Sequence, residues 1–141
     1  MNERYIFRAK TKRTGTWVQG DLSLNNSYGE PLIYAGPDLD YPIDPATLGQ
    51  STGLRDKHGT LIFEGDIIRD DYKPTDIFIG VVVWSENLLQ WIVRGMGKTG
   101  HFPLWEFTDK TDKADRVCKT AEIIGNVHDK QEDEPERMGT E

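Results

Sequence analysis

A single cysteine, Cys118, leaves this 141-residue chain unable to form an internal disulfide. Its core must come from apolar burial, and one free thiol fits a reducing compartment. Histidine is scarce as well. His58, His101 and His128 are scattered, with metal-ligand spacing neither to one another nor to Cys118, so no metal is expected. No apolar run is long enough to span a membrane; the longest near-continuous one is Ile77 to Trp84. The N-terminal apolar run is too short for a signal peptide, and the expected location is the cytoplasm. Positive charge is in deficit, with 17 Lys and Arg against 24 Asp and Glu, a net charge of −7. An acidic body disfavours general binding to a nucleic-acid backbone, which needs clustered Lys and Arg.

That charge is unevenly spread. Residues 1–19 hold five basic side chains, Arg4, Arg8, Lys10, Lys12 and Arg13, against Glu3, so about +4. Residues 129–141 hold six acids and two bases, so about −4. Four Trp, five Tyr and five Phe supply large apolar surfaces for one packed domain. The expected organisation is one β domain over residues 1–128 and an acidic, disordered tail over 129–141, where Met138 is the one apolar side chain.

Strand signals dominate. Tyr5, Phe7 and Ala9 alternate with Ile6, Arg8 and Lys10, a period of two. Lys12-Arg13-Thr14-Gly15 reads as a turn and Thr16 to Gln19 as the returning strand, an N-terminal β-hairpin. Residues 23–53 are broken by Gly and Pro and read as mostly irregular, with one short strand at Leu32-Ile33-Tyr34. Asp44 before Pro45 suits the cap of a single helical turn. Asp56 to Gly59 reads as a tight turn. Ile79 to Trp84 and Leu89 to Val93 form a second hairpin, Pro103 to Phe107 a helical turn, and Ala121 to Val127 the last strand. Several short strands with little helix predict a mainly β, small barrel.

Few constellations suggest chemistry. Gly95-Met96-Gly97-Lys98-Thr99-Gly100 satisfies a glycine-rich phosphate pattern. A phosphate loop needs a further glycine five residues before Gly97, where Ile92 stands. Pro103 also blocks the helix that a dinucleotide site needs, so a flexible loop is expected. The acids Asp38, Asp40 and Asp44, and Asp66, Asp70, Asp71 and Asp76, match no calcium-loop spacing. Cys118 lies in a polar segment with no nearby His, a poor setting for a nucleophile. Trp84 and Trp91 are expected in the core. Neither a catalytic set nor a cofactor site is legible.

The stretch Gly49-Gln50-Ser51-Thr52-Gly53-Leu54-Arg55-Asp56, followed by Glu64-Gly65-Asp66-Ile67, is the most specific segment of the chain. It resembles the hallmark of the YopX family of small phage- and prophage-encoded proteins. Tyr5-Ile6-Phe7-Arg8-Ala9, Trp17, Gly80 to Trp84 and Glu122 to Asn126 keep the family's order, so the resemblance covers about residues 4–128. His58 stands where the family usually has Asn. The resemblance implies an SH3-like barrel with added hairpin and loops, and it implies no activity.

The expected function is a non-catalytic, protein-binding accessory module in the host cell, with a host or phage protein as partner and a homo-oligomer possible. The Gly49–Asp56 segment, with Gln50, Thr52, Arg55 and Asp56, is the candidate binding loop. The competing and preferred reading makes those side chains partners for an irregular backbone crossing. One alternative is a nucleic-acid binder that uses Arg8, Lys10, Arg13 and Trp17 of the basic hairpin. Another is an acidic inhibitor that mimics the charge of DNA.

Overall fold

A computed structural model of the chain describes residues 3–71, 75–97, 100–108 and 116–129. The alternating runs form strands. They are β1 (Phe7–Lys10), β2 (Trp17–Ser23), β3 (Leu32–Tyr34), β4 (Asp40–Pro42), β5 (Gly49–Arg55), β6 (Leu61–Phe63), β7 (Asp66–Asp70), β8 (Phe78–Ser85), β9 (Gln90–Gly95), β10 (His101–Pro103) and β11 (Ala121–Asn126). Helical structure among the described residues is limited to 3-10 turns at Glu3–Tyr5, Pro45–Thr47 and Leu104–Phe107.

The mainly β class is the expected one. The arrangement is two antiparallel sheets, one of them curled into a half-barrel. Six strands run in the order β4-β3-β2-β1-β5-β6 and five in the order β10-β9-β8-β7-β11. There are two apolar clusters, and the second draws Ile62 of β6 from the six-stranded sheet onto the five-stranded one. Ala9, Ile33 and Ile43 fill the first, flanked by Phe7, Val18, Leu22 and Leu48. Ile62, Ile68, Val82, Val93, Leu104, Cys118 and Ala121 fill the second. The crossing from one sheet to the other is short. β6 passes through Glu64 and Gly65 straight into β7, and Gly65 takes φ +90°, a backbone that glycine adopts without strain.

The two expected hairpins are present, as β1–β2 and β8–β9. Asp44 caps the Pro45–Thr47 turn by accepting from the Ala46 N–H at 3.1 Å. Three readings need correction. Tyr5 belongs to the 3-10 turn that precedes β1, not to the strand. Residues 23–53 are less irregular than their Gly and Pro content suggests, because they contain β4 and most of β5. Pro42 is tolerated since β4 is an edge strand, where a missing N–H faces no partner. The same reason admits Pro103 in β10, at the edge of the other sheet.

The third correction concerns the hallmark segment, which is a strand with an irregular centre. β5 pairs with β6 at Ser51↔Phe63 and then at Arg55↔Leu61, so the residues between have no regular ladder partners. Their own hydroxyls fill the gap. Ser51 Oγ accepts from the Gly53 N–H at 3.1 Å, and Thr52 Oγ1 accepts from the Leu54 N–H at 3.1 Å and donates to the Ile62 carbonyl at 2.8 Å. Gly53 takes φ +82° with Arg4 against it, which no larger residue would allow without strain.

A candidate binding cleft and the polar hubs beside it

Asp66, at the start of β7, is 1% exposed, and three groups from different elements converge on it. Its Oδ1 accepts from Arg8 Nη2 at 2.6 Å and from Asn126 Nδ2 at 3.0 Å; its Oδ2 accepts from the Phe63 N–H at 2.8 Å. A buried carboxylate needs such partners to offset its lost hydration. The Arg8 guanidinium also lies 4.6 Å from the Trp17 ring centroid and 4.5 Å from that of Phe63. Lys10 reaches 5.4 Å from the same Trp17 ring and donates to the His128 carbonyl. Trp17 donates through Nε1 to Asp129 at 3.3 Å. Arg8, Lys10 and Trp17 of the basic hairpin are thus joined to the rest of the fold, while Arg13 sits exposed in the turn.

Asp56 forms a second hub. It is 2% exposed; Oδ1 accepts from the His58 and Thr60 N–H groups at 3.0 and 2.9 Å, closing the turn, and Oδ2 accepts from the Ile123 N–H at 3.0 Å. One short side chain therefore ties the turn to β11. Arg55 donates to the Gly59 carbonyl at 2.7 Å and pairs with Glu3. Thr52 is buried at 6% exposure. Of the four residues singled out in the hallmark segment, Gln50 lines an open space, and its Nε2 donates to the Arg4 carbonyl at 2.9 Å.

That open space is a cleft of about 420 Å³ at the seam between the sheets. Arg4 and Tyr5 of the first 3-10 turn, Gln50 and Ser51 of β5, and Glu64 of the crossing form one side. Trp84 and Trp91, cross-strand neighbours in β8 and β9, form the other. The two indoles meet edge to face at 5.3 Å. Trp91 packs on the larger core, whereas Trp84 is 40% exposed and Tyr5 59%. Trp84 therefore departs from the core position expected for it. It shares the inward face with Val82 but lies one pleat further along β8, at the cleft. Alternation locates the face; it cannot locate the edge of the core.

The remaining candidates sort plainly. Cys118 is fully buried in the larger core, contrary to its polar sequence context, and burial, aided by Asp56 and Asp70, pushes its thiol up to about 12. A thiol so held is no nucleophile at neutral pH. No group of three or more metal-ligating side chains is assembled among the described residues. Asp70 accepts from Thr120, and Asp71 lies 3.7 Å from Arg69. Lys98 and Thr99 of the glycine-rich segment lie outside the described residues; β9 enters the segment and β10 leaves it, and among the described residues no helix starts at its glycines. Asp129 belongs to the folded unit, since Oδ2 accepts from the Asn126 N–H at 2.9 Å; residues 130–141 of the expected tail lie outside the described residues. Among the described residues no helix is long and apolar enough to cross a membrane.

A family model described as YopX protein matches residues 6–133. Comparison with curated proteins returns no match.

Proposed function

This chain belongs to the YopX family, and on that premise we propose that it is a non-catalytic protein-interaction domain, a phage or prophage accessory protein of the host cytoplasm, whose partner docks in the seam cleft. The observation that carries the reading is the open ring cluster of Tyr5, Trp84 and Trp91, edged by Arg4, Glu64 and Gln50. Exposed aromatics in a concavity with a few polar groups are the side chains that anchor protein partners. Of the hallmark residues, Gln50 and Ser51 belong to this face, while Thr52, Arg55 and Asp56 are engaged in hydrogen bonds within the fold. The nucleic-acid reading loses support because Arg8 and Lys10 are engaged within the fold and the chain is acidic overall.

The test is affinity capture from host lysate with the intact chain and with Trp84→Ala and Tyr5→Ala, folding being checked by circular dichroism. Specific capture that both folded variants lose is the expected result. Equal capture by the variants would move the site elsewhere, and capture abolished by competing DNA would favour a charge mimic.

A further inference from the structure

We infer that the cleft receives an extended segment of the partner, which adds as a strand beside β8 at Trp84 and lays an apolar side chain between the rings. This rests on the interaction reading above and specifies its ligand. The backbone at the cleft selects it. β7 accompanies β8 only from Phe78 to Val81, and just beyond, the Gly65 N–H donates to the Val82 carbonyl at 2.8 Å. Alternate residues of a strand send their main-chain groups to opposite flanks. Trp84, two residues after Val82, therefore directs its N–H and C=O to the flank that the chain leaves at Glu64. The other flank belongs to β9, where the Met96 N–H donates to the Ile79 carbonyl at 2.9 Å and Trp84 faces Trp91 as a non-hydrogen-bonded pair. Among the described residues, nothing pairs with the Trp84 main-chain N–H or C=O. Glu64 and Trp84 both line the cleft, so this open flank gives onto it.

Elsewhere the fold serves such groups itself. At the outer flank of β11 the Ala121 carbonyl accepts from the Lys57 N–H at 2.9 Å, and the Ile123 N–H donates to Asp56 at 3.0 Å. At the outer flank of β4 the Pro42 carbonyl accepts from the Lys12 N–H at 2.9 Å. A main-chain donor and acceptor side by side are matched by another main chain in extended form. A helix spends its main-chain groups on itself, and a proline lacks the N–H that the Trp84 carbonyl needs. The period of two then sends alternate side chains of the segment toward the rings of Tyr5, Trp84 and Trp91. Acids stand at both ends of the open flank, Glu64 just before β7 and the exposed Glu86 where the hairpin turns. Arg4, the cation of the lining, already lies 5.9 Å from the Tyr5 ring. An apolar residue flanked by Lys or Arg is the matching chemistry.

The experiment selects binders to the full chain from a displayed library of random short peptides, titrates the selected peptides as synthetic ones, and follows backbone amide hydrogen exchange by NMR. Proline-free sequences with an apolar residue between basic ones are expected, and they should slow exchange of the Trp84 amide roughly tenfold or more. N-methylation of alternate peptide amides should abolish binding in one register and spare it in the other. Trp84→Ala should weaken binding roughly tenfold or more. Tyr5→Ala provides a second variant at an exposed position where folding is not at stake. Peptides that bind without slowing the Trp84 amide, or that bind both variants as well as the intact chain, overturn the inference. So does a yield of proline-rich or helical sequences alone. If no peptide is selected the inference falls, and lysate capture that still depends on Trp84 leaves the interaction reading standing. Lysate capture indifferent to Trp84 and Tyr5 overturns both.

Discussion

Arg8 and the cleft beside Arg4 are two places where a cation meets aromatic rings, four residues apart in the chain, and they end in opposite states. The Arg8 guanidinium lies within 4.6 Å of two ring centroids and has a buried carboxylate at 2.6 Å. Every group there is supplied with a partner by the fold. At the cleft the Arg4 guanidinium lies 5.9 Å from the Tyr5 ring, and Tyr5 and Trp84 remain exposed beside it. Residue types alone do not separate a structural clamp from a binding surface. What separates them is whether distant strands deliver the complementary groups, as β6, β7 and β11 do at Arg8.

The sharpest way to break this contrast is to empty the clamp. Asp66→Ala leaves the half-buried Arg8 charge, the Asn126 amide and the Phe63 N–H without their acceptor. The expected loss is about 3–5 kcal/mol, read by urea denaturation. A loss below about 1 kcal/mol would mean that the hub is incidental.

Next in size is Thr52→Val, which keeps the shape and removes the hydroxyl that serves Ile62 and Leu54. It should cost about 1–3 kcal/mol and leave partner capture by the folded protein intact. Unchanged stability with lost capture would return Thr52 to the binding surface.

Cys118 tests the dryness of the larger core through pH. The folded thiol holds its proton to about 12 against an ordinary value of 9.0, so the folded state binds more protons between them. Stability should therefore fall as pH rises from about 9 towards about 12, by at most roughly 1.4 kcal/mol per unit, and Cys118→Ala should flatten that decline. Thermal melts across that range decide it.

The smallest effect belongs to the open site. Tyr5→Ala should shift stability by no more than about 0.5 kcal/mol, since the ring is mostly in solvent. A melting temperature lowered by many degrees would show that Tyr5 is packed after all and would remove it from the candidate cleft.

The sequence by itself determined what depends on neighbours in the chain: the strand class from period-two runs, both hairpins, the Asp44 cap, the turn at Asp56 to Gly59, and the family through its hallmark segment. β4 and the centre of β5 escaped it, because Pro42 and Gly53 are tolerated there only by an edge position and a bulge, and both are properties of the assembled sheet. Tertiary structure alone decided the rest. It buried Cys118, took Arg8 and Lys10 of the hairpin into the fold, made Asp56 and Asp66 acceptors for groups up to 67 residues away, and left Trp84 beside Tyr5 at the seam. The reason is one of range. Backbone periodicity is set over a few residues, whereas burial and hydrogen-bond partnership are set by strands that meet only after the chain has closed on itself.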